Sequence, residues 1–267
     1  VPKKQIESFT GQLKKVTGLH RSANRQKYFQ QLVEGPQAVR ELLRFHPELV
    51  RDVYATSEAL KTHPDLLQLI DELDPYTHLL EPELFLRISK DAQGILAVAD
   101  IPDEPDLAEV FANSQLLVMT LRANDPGNLG TIIRCSDAFG AQAVITGAGS
   151  VAATNPKVIR SSVGSLFHIP VIEDEQPEPL IMTAKEAGFQ VLAADAHGDF
   201  NLDELAGKID LREKTLWVFG NEAHGFSKGE LALADAVVSI PMWGNAESLN
   251  LAMAATLCIF ESARAQN

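Results

Sequence analysis

Three short stretches of the chain concentrate small and polar residues of the kind that hold a ligand through backbone rather than through charge. They are Asn124-Asp-Pro-Gly-Asn128-Leu-Gly130-Thr-Ile-Ile-Arg134, Gly220-Asn-Glu222-Ala-His-Gly225-Phe, and Ile240-Pro241-Met-Trp-Gly-Asn-Ala-Glu247-Ser248-Leu249-Asn250. Each follows an apolar run that reads as a strand, and ligands of open α/β sheets gather beyond the carboxyl ends of strands. Loops of this composition leave main-chain N–H and C=O groups open. They can clasp an adenine and a ribose without a charged side chain. Two phosphate-binding patterns fall short. Gly147-Ala-Gly149-Ser-Val-Ala152 has a G-x-G-x-x-A frame, but such a loop must open directly onto a helix, and here Asn155-Pro156 caps the helix several residues late. No acid stands about 20 residues further on, which leaves a nucleotide-dependent oxidoreductase as a third alternative. Gly220–Gly225 has the spacing of a phosphate loop, but Phe226 occupies the place of its lysine.

The elements that must position these loops sharpen after residue 115. Apolar runs at Leu116–Leu121, Ala143–Thr146, His168–Ile172, Val191–Ala194, Leu216–Phe219 and Ala236–Pro241 alternate with helix-like stretches. Nearly continuous Val/Ile/Leu runs belong to strands covered on both faces, so a parallel α/β sheet is expected. The last helix, about Glu247–Ala265, is apolar on most sides through Leu249, Leu251, Met253, Leu257, Ile259 and Phe260. A helix that apolar is buried in the core or against a second subunit. Earlier, residues 4–17 read as a polar helix, Phe29–Val33 as a strand, Pro36–Phe45 as a helix and Leu49–Ala55 as a strand. Ser57–Leu73 reads as one helix with Ser57 as its cap, followed by a strand at Thr77–Leu80, a short helix around Glu81–Ser89 and an apolar run at Gly94–Ala99. The acidic, Pro-rich stretch from Ile101 to Asp106 has linker chemistry. Two domains are therefore expected, 1–105 and 115–267.

The three loop segments, in this order and spacing, resemble the signature segments of the SpoU-type RNA ribose 2'-O-methyltransferases of the SPOUT superfamily. Arg25–Leu43, with Phe29-Gln-Gln-Leu-Val-Glu34-Gly35, is similar to the substrate-binding domain that precedes the catalytic domain in many members, and Gly94-Ile-Leu-Ala-Val98 resembles that domain's closing strand. By layout the chain is most similar to ribosomal-RNA enzymes, including antibiotic-resistance methyltransferases of the thiostrepton type. The resemblance implies a C-terminal parallel-sheet domain with a trefoil knot, a smaller α/β RNA-binding domain before it, and a homodimer. It implies S-adenosylmethionine as cofactor, held by backbone at Gly220, Ile240 and Leu249, and no metal. The implied activity is methyl transfer to a ribose 2'-hydroxyl of RNA. Ribosomal RNA is the expected substrate, with transfer RNA, or a non-catalytic RNA-binding protein of the same fold, as alternatives.

The resemblance assigns catalytic work to Asn128, Arg134, Glu222, Ser248 and Asn250. Arginine is a poor base, so Arg134 is expected to clamp an RNA phosphate and polarise the 2'-hydroxyl. The alternative is a surface arginine paired with Asp137 or Glu222. Glu222 is expected to orient Arg134 or Asn128, or else to be a structural carboxylate. Asn128 bonds ribose or backbone, or simply forms a turn. Ser248 and Asn250 belong to the site, or one of them caps the last helix. His168 and His224 lie outside the signature positions and read as structural, as do Cys135 and Cys258. Trp243 stacks on a flipped base or packs in the core.

Composition limits the partners. The chain has 267 residues, 45% hydrophobic and 22% charged, a globular balance. No run approaches the ~20 apolar residues of a membrane span. Val1-Pro2-Lys3-Lys4 leads into polar sequence without a signal core, and two cysteines make neither a disulfide framework nor a zinc site. A cytoplasmic protein is expected. The net charge of −13 runs against a nucleic-acid partner, yet the first 33 residues set Lys3, Lys4, Lys14, Lys15, Arg21, Arg25 and Lys27 against Glu7 alone. That is either a solvated helix face or an RNA-docking arm. On the second view Lys14, Lys15, Arg21 and Arg25 contact RNA phosphates.

Overall fold

The computed structural model describes residues 4–9, 11–205 and 207–267; Lys3, one of the basic residues noted above, lies outside them. Two compact units emerge. The first runs to Asp103 and takes in Thr154–His168 as well, and the second comprises Glu104–Ala153 and Ile169–Asn267. The units thus depart from a linear division by one segment, whose Ile159 and Phe167 are buried in the first unit's core.

The first unit is built on a five-stranded mixed sheet. In chain order its elements are β1 (Lys4–Ile6), α1 (Gly11–Gly18), α2 (Ser22–Tyr28), β2 (Gln30–Glu34), α3 (Pro36–Phe45) and β3 (Val50–Ala55). There follow α4 (Ser57–Thr62), α5 (Pro64–Leu73), β4 (Thr77–Leu80), α6 (Pro82–Leu86) and β5 (Ile95–Asp100). The strand order is β1-β4-β3-β5-β2, with β5 antiparallel to both its neighbours. Two details depart from the sequence expectation. Residues 4–17 do not form one helix, because Lys4–Ile6 pairs parallel with β4 and buries Ile6, and the helix starts only at Gly11. The helix expected over Ser57–Leu73 breaks at His63, since the residue before a proline is pushed out of the helical region and Pro64 opens a new first turn. Thr56, not Ser57, caps α4, accepting the Ala59 N–H at 3.1 Å.

The second unit carries α7 (Leu107–Asn113), β6 (Leu116–Thr120), α8 (Pro126–Ala138) and β7 (Ala143–Gly147). The chain then enters α9 (Pro156–Ser162) in the first unit, and returns through β8 (Val171–Glu175), α10 (Pro177–Glu186), β9 (Gln190–Ala194) and β10 (Phe200–Asn201). It ends with β11 (Thr215–Phe219), α11 (Lys228–Leu231), β12 (Ala236–Ser239) and α12 (Leu251–Gln266). Its seven strands lie in the order β10-β12-β9-β11-β6-β7-β8, and every pairing is parallel. The central strand shows why it is apolar throughout. Leu216 and Val218 enter the core formed with α7 and α10, whereas Trp217 donates its indole N–H to Ser262 Oγ of α12 at 2.8 Å. Alternate residues of β11 are therefore buried on opposite faces. No helix among the described residues is long and apolar enough to cross a membrane.

Candidate active site

All three signature segments leave the sheet at the carboxyl ends of parallel strands. The first follows β6. Arg122 takes a left-handed φ of 50°, unusual for a bulky residue, and Asp125 caps α8 by accepting the Asn128 N–H at 2.8 Å. The second follows β11 and is a tight loop in which Asn221 and Gly225 exchange backbone hydrogen bonds of 3.1 and 2.9 Å. Gly220 permits this closure: a Cβ there would stand 2.8 Å from the carbonyl carbon of Gly225, which itself has φ 59°. The Asn221 side chain fills the loop, accepting from the Ala223 and His224 N–H groups and donating to the Arg122 carbonyl at 2.7 Å. Ser227 and Glu230 then form a reciprocal capping box on α11. The third segment, beyond β12, stays irregular until Asn250, whose Oδ1 accepts from Ala252 and Met253 and so caps α12. The helix expected from Glu247 accordingly starts four residues later.

One chain of side-chain hydrogen bonds joins the three loops. Asn250 Nδ2 donates to Asn128 Oδ1 at 2.9 Å, and Asn128 Nδ2 faces Glu222 Oε1 at 3.4 Å. The same carboxylate faces the N–H groups of Asn124 and Asp125, each at 3.4 Å. An anion there also complements the positive end of α8. Glu222 is thus committed to Asn128 and to the first loop, and not to Arg134. A second tie fixes the same loops from behind: Arg122 forms a two-pronged ion pair with Glu230. This pairing holds the Glu230 carboxyl down at about 2, and raises the Arg122 guanidinium above its ordinary value.

Around this junction opens a cavity of about 480 Å³, within the ~300–1,000 Å³ typical of small-molecule sites. Gly220, Ile240 and Leu249 line it, together with Ser248, Asn250 and Asn128. The expected backbone-binding and polar positions therefore share one wall. Its mixture of apolar surface with open main-chain groups fits an adenine and a ribose, the chemistry an S-adenosyl cofactor requires.

Arg134 stands apart from this wall. It is exposed on α8 and has no ion pair among the described residues, neither with Asp137 nor with Glu222. Trp243 is 88% exposed, which removes core packing as its role. His224 is exposed, and His168, in the first unit, lies 3.3 Å from Glu41. Cys258 is buried, which pushes its thiol up. The cavity also has a polar residue outside the three segments that the sequence did not single out, Asp195 at the exit of β9. A lone aspartate after a strand looks like an ordinary turn former, so nothing marked it.

In the first unit, Lys14, Lys15 and Arg21 are exposed on α1 and just before α2. Arg25 requires correction. It was expected on an RNA-facing surface but is only 3% exposed, and its guanidinium donates to the Leu19 and His20 carbonyls and to Thr154 Oγ1. Its fork ties α2 to the preceding loop and cannot reach a phosphate.

Known proteins share this arrangement. The chain is 32% identical over 261 residues to the 23S rRNA (guanosine(2553)-2'-O)-methyltransferase RlmP of Bacillus subtilis, a match covering 96% of this chain and 98% of that protein. It is 34% identical over 194 residues to the 23S rRNA (uridine(2479)-2'-O)-methyltransferase of Streptomyces viridochromogenes, covering 69% of this chain and 66% of the relative. The crystal structure of the SpoU methyltransferase AviRb from Streptomyces viridochromogenes in complex with the cofactor AdoMet superposes with a TM-score of 0.79 at 30% identity, over 96% of this chain and 98% of that one. The sequence profile of the SpoU rRNA Methylase family matches residues 115–260, over half of the chain. On the joint strength of that match and the full-length relative, the chain belongs to the SpoU rRNA methylase family.

Proposed function

We propose that this protein transfers a methyl group from S-adenosylmethionine to a ribose 2'-hydroxyl of ribosomal RNA in the cytoplasm. The observation that carries this reading is the Asn250–Asn128–Glu222 chain, which locks three separate post-strand loops into one wall of a cofactor-sized cavity. S-adenosylmethionine supplies, when bound, a methyl group on a positively charged sulfur.

The residues present answer the needs of such a transfer. Backbone groups at Gly220, Ile240 and Leu249 hold the cofactor, and Glu222, through Asn128 and the first loop, keeps the wall rigid. With the cofactor bound, transfer would place the methyl group on the ribose 2'-oxygen, leave the C–S electron pair on sulfur, and release the hydroxyl proton to bulk water. Holding donor and acceptor in line can lower the barrier by ~7–11 kcal/mol in ideal cases. Arg134, exposed and without an ion pair among the described residues, clamps an RNA phosphate and polarises the hydroxyl. Lys14, Lys15 and Arg21 dock the RNA through its phosphates. The active form is a homodimer whose catalytic unit carries the trefoil knot. Met253, Leu257 and Phe260 lie at i, i+4 and i+7 on α12 and are exposed, a stripe that suits a second copy of the chain.

Transfer of a labelled methyl group to naked ribosomal RNA, assembled ribosomal subunits and transfer RNA, followed by nuclease mapping, tests the reading. Label at a single ribose of ribosomal RNA is the expected result. Label confined to transfer RNA would reassign the substrate, and S-adenosylmethionine binding without transfer to any of the three would leave an RNA-binding role.

A further inference from the structure

The cavity is chemically one-sided. Among the described residues that line it are three carboxylates, Asp195, Glu222 and Glu247, and no lysine, arginine or histidine. Glu222 is engaged with the first loop and Asn128. The other two are not neutralised in this way. Asp195 Oδ1 accepts the His197 N–H at 2.9 Å, but Oδ2 has no hydrogen-bond partner among the described residues and faces the second loop, where a Cβ built on Gly225 would lie 3.8 Å from it. The His197 ring stands 3.9 Å from Oδ1 and is itself 92% exposed, so solvent screens it. Glu247 is exposed on the third loop and has no ion pair among the described residues.

Resting on the cofactor reading above, we propose that Asp195 and Glu247 make this cavity discriminate by charge between the methyl donor and its spent product. The two molecules share the adenosine and the amino-acid group. They differ by one methyl and one positive charge, since the donor is a sulfonium and the product a neutral thioether. A hydrophobic wall gains little from one methyl, at most ~10–200-fold in a closely fitted pocket, and this cavity is open. A carboxylate field, in contrast, acts on the charge itself, and it weakens less with distance inside a half-enclosed site than in bulk water. The donor is held by it and the product is not. Transfer of the methyl group therefore removes the attraction that kept the cofactor in place, and the product leaves. The same field repels RNA phosphates, so the backbone of the substrate cannot occupy the donor's place.

Calorimetric binding to the full chain tests this with three probes: S-adenosylmethionine, S-adenosylhomocysteine, and sinefungin, which carries an amine cation near the sulfonium position. The unaltered protein is expected to bind both cationic probes about tenfold more tightly than the neutral one. Asp195→Asn keeps Oδ1 for the His197 N–H, and should weaken the two cations about fivefold while leaving S-adenosylhomocysteine unchanged. Glu247→Gln, on an exposed loop where folding is not at risk, should act in the same sense. Added salt should erode the preference, because it screens only the charged ligands' attraction. Equal affinities for all three probes, or variants that weaken neutral and cationic probes alike, overturn the charge discrimination and leave the cofactor reading standing. Failure of the unaltered protein to bind any probe overturns the cofactor reading, and this inference with it.

Discussion

Asn128 and Asn250 are both amides at helix starts, yet their side chains do different work. The acceptor-only carboxylate of Glu222 fixes the amide of Asn128, whose Nδ2 must face it and whose Oδ1 must then receive the Nδ2 of Asn250. Asn250 has a second duty, since its Oδ1 caps α12, whereas α8 is capped by Asp125 and not by Asn128. Asn250→Ala should therefore cost about 1 kcal/mol in thermal unfolding, and Asn128→Ala much less. Both should lower methyl transfer. Their joint loss should be smaller than the sum by about 0.5–2 kcal/mol of coupling in transition-state terms, because each variant already breaks the shared bond. Strictly additive losses in that double-mutant cycle would show that the two amides act independently. Arg134 yields a prediction of another kind. Exposed and without an ion pair among the described residues, its guanidinium fork would suit the phosphate proposed for it, and lysine cannot reproduce that geometry. Arg134→Lys should lower kcat about tenfold or more with little change in thermal stability. Near-normal turnover would mean that only its charge matters.

At the scale of elements, the site depends on ties between segments distant in sequence. Arg122 ends β6 in a left-handed conformation, and Glu230 both closes the capping box on α11 and pairs with that arginine. The carboxyl of Glu230 sits at about 2 in the fold, against an ordinary value of 4.5. A carboxyl depressed by folding stabilises the native state above its unfolded value, and that contribution disappears as the pH falls through the interval down to about 2. Glu230→Gln should thus cost about 1 kcal/mol near neutral pH. It should also flatten the loss of stability between pH 4.5 and about 2 in acid-unfolding curves. An unchanged acid limb would show that another group drives it. These ties also mark how far the sequence could be read. Runs such as Leu216–Phe219 are legible because both faces of a central strand are buried, and three glycine- and asparagine-rich loops behind such strands draw attention by composition alone. The Ser227-x-x-Glu230 spacing signals a helix start, but nothing local reveals that its glutamate reaches back to Arg122. The short strand Lys4–Ile6 buries only Ile6 and looks helical by composition. In α9, Ile159 and Phe167 beyond it are ordinary apolar residues whose destination in the first unit's core is decided by long-range packing, which periodicity does not encode.

For the molecule as a whole, an acidic protein that works on a polyanion must keep its cations where the polyanion arrives. The net charge is −13, yet Lys14, Lys15, Arg21 and Lys27 gather on two short helices and the turn between them, all exposed. Beside them stands Tyr28, with the Lys15 ammonium 4.5 Å and the Lys27 ammonium 5.4 Å from its ring centroid. Phe29 follows, 74% exposed and in a left-handed conformation with φ 50°. Exposed rings among cations suit unpaired bases, which stack on aromatic faces while their phosphates are neutralised. The acidic cavity wall sits in the other unit and has no need of phosphate. Neutralising Lys14, Lys15 and Arg21 to glutamine should therefore weaken RNA binding and make the slope of log affinity against log salt shallower by about 2–3, since each lost phosphate contact removes ~0.7–0.9 from it. Phe29→Ala should weaken binding about tenfold while leaving that slope unchanged, because a stacked base releases no counterions. Arg25→Gln separates surface from interior: this buried guanidinium holds two carbonyls and Thr154 Oγ1, so its loss should lower the melting temperature before it alters any salt dependence. If the triple variant binds RNA with an unaltered salt slope, the basic segment is a solvated surface and the docking site lies elsewhere in the chain.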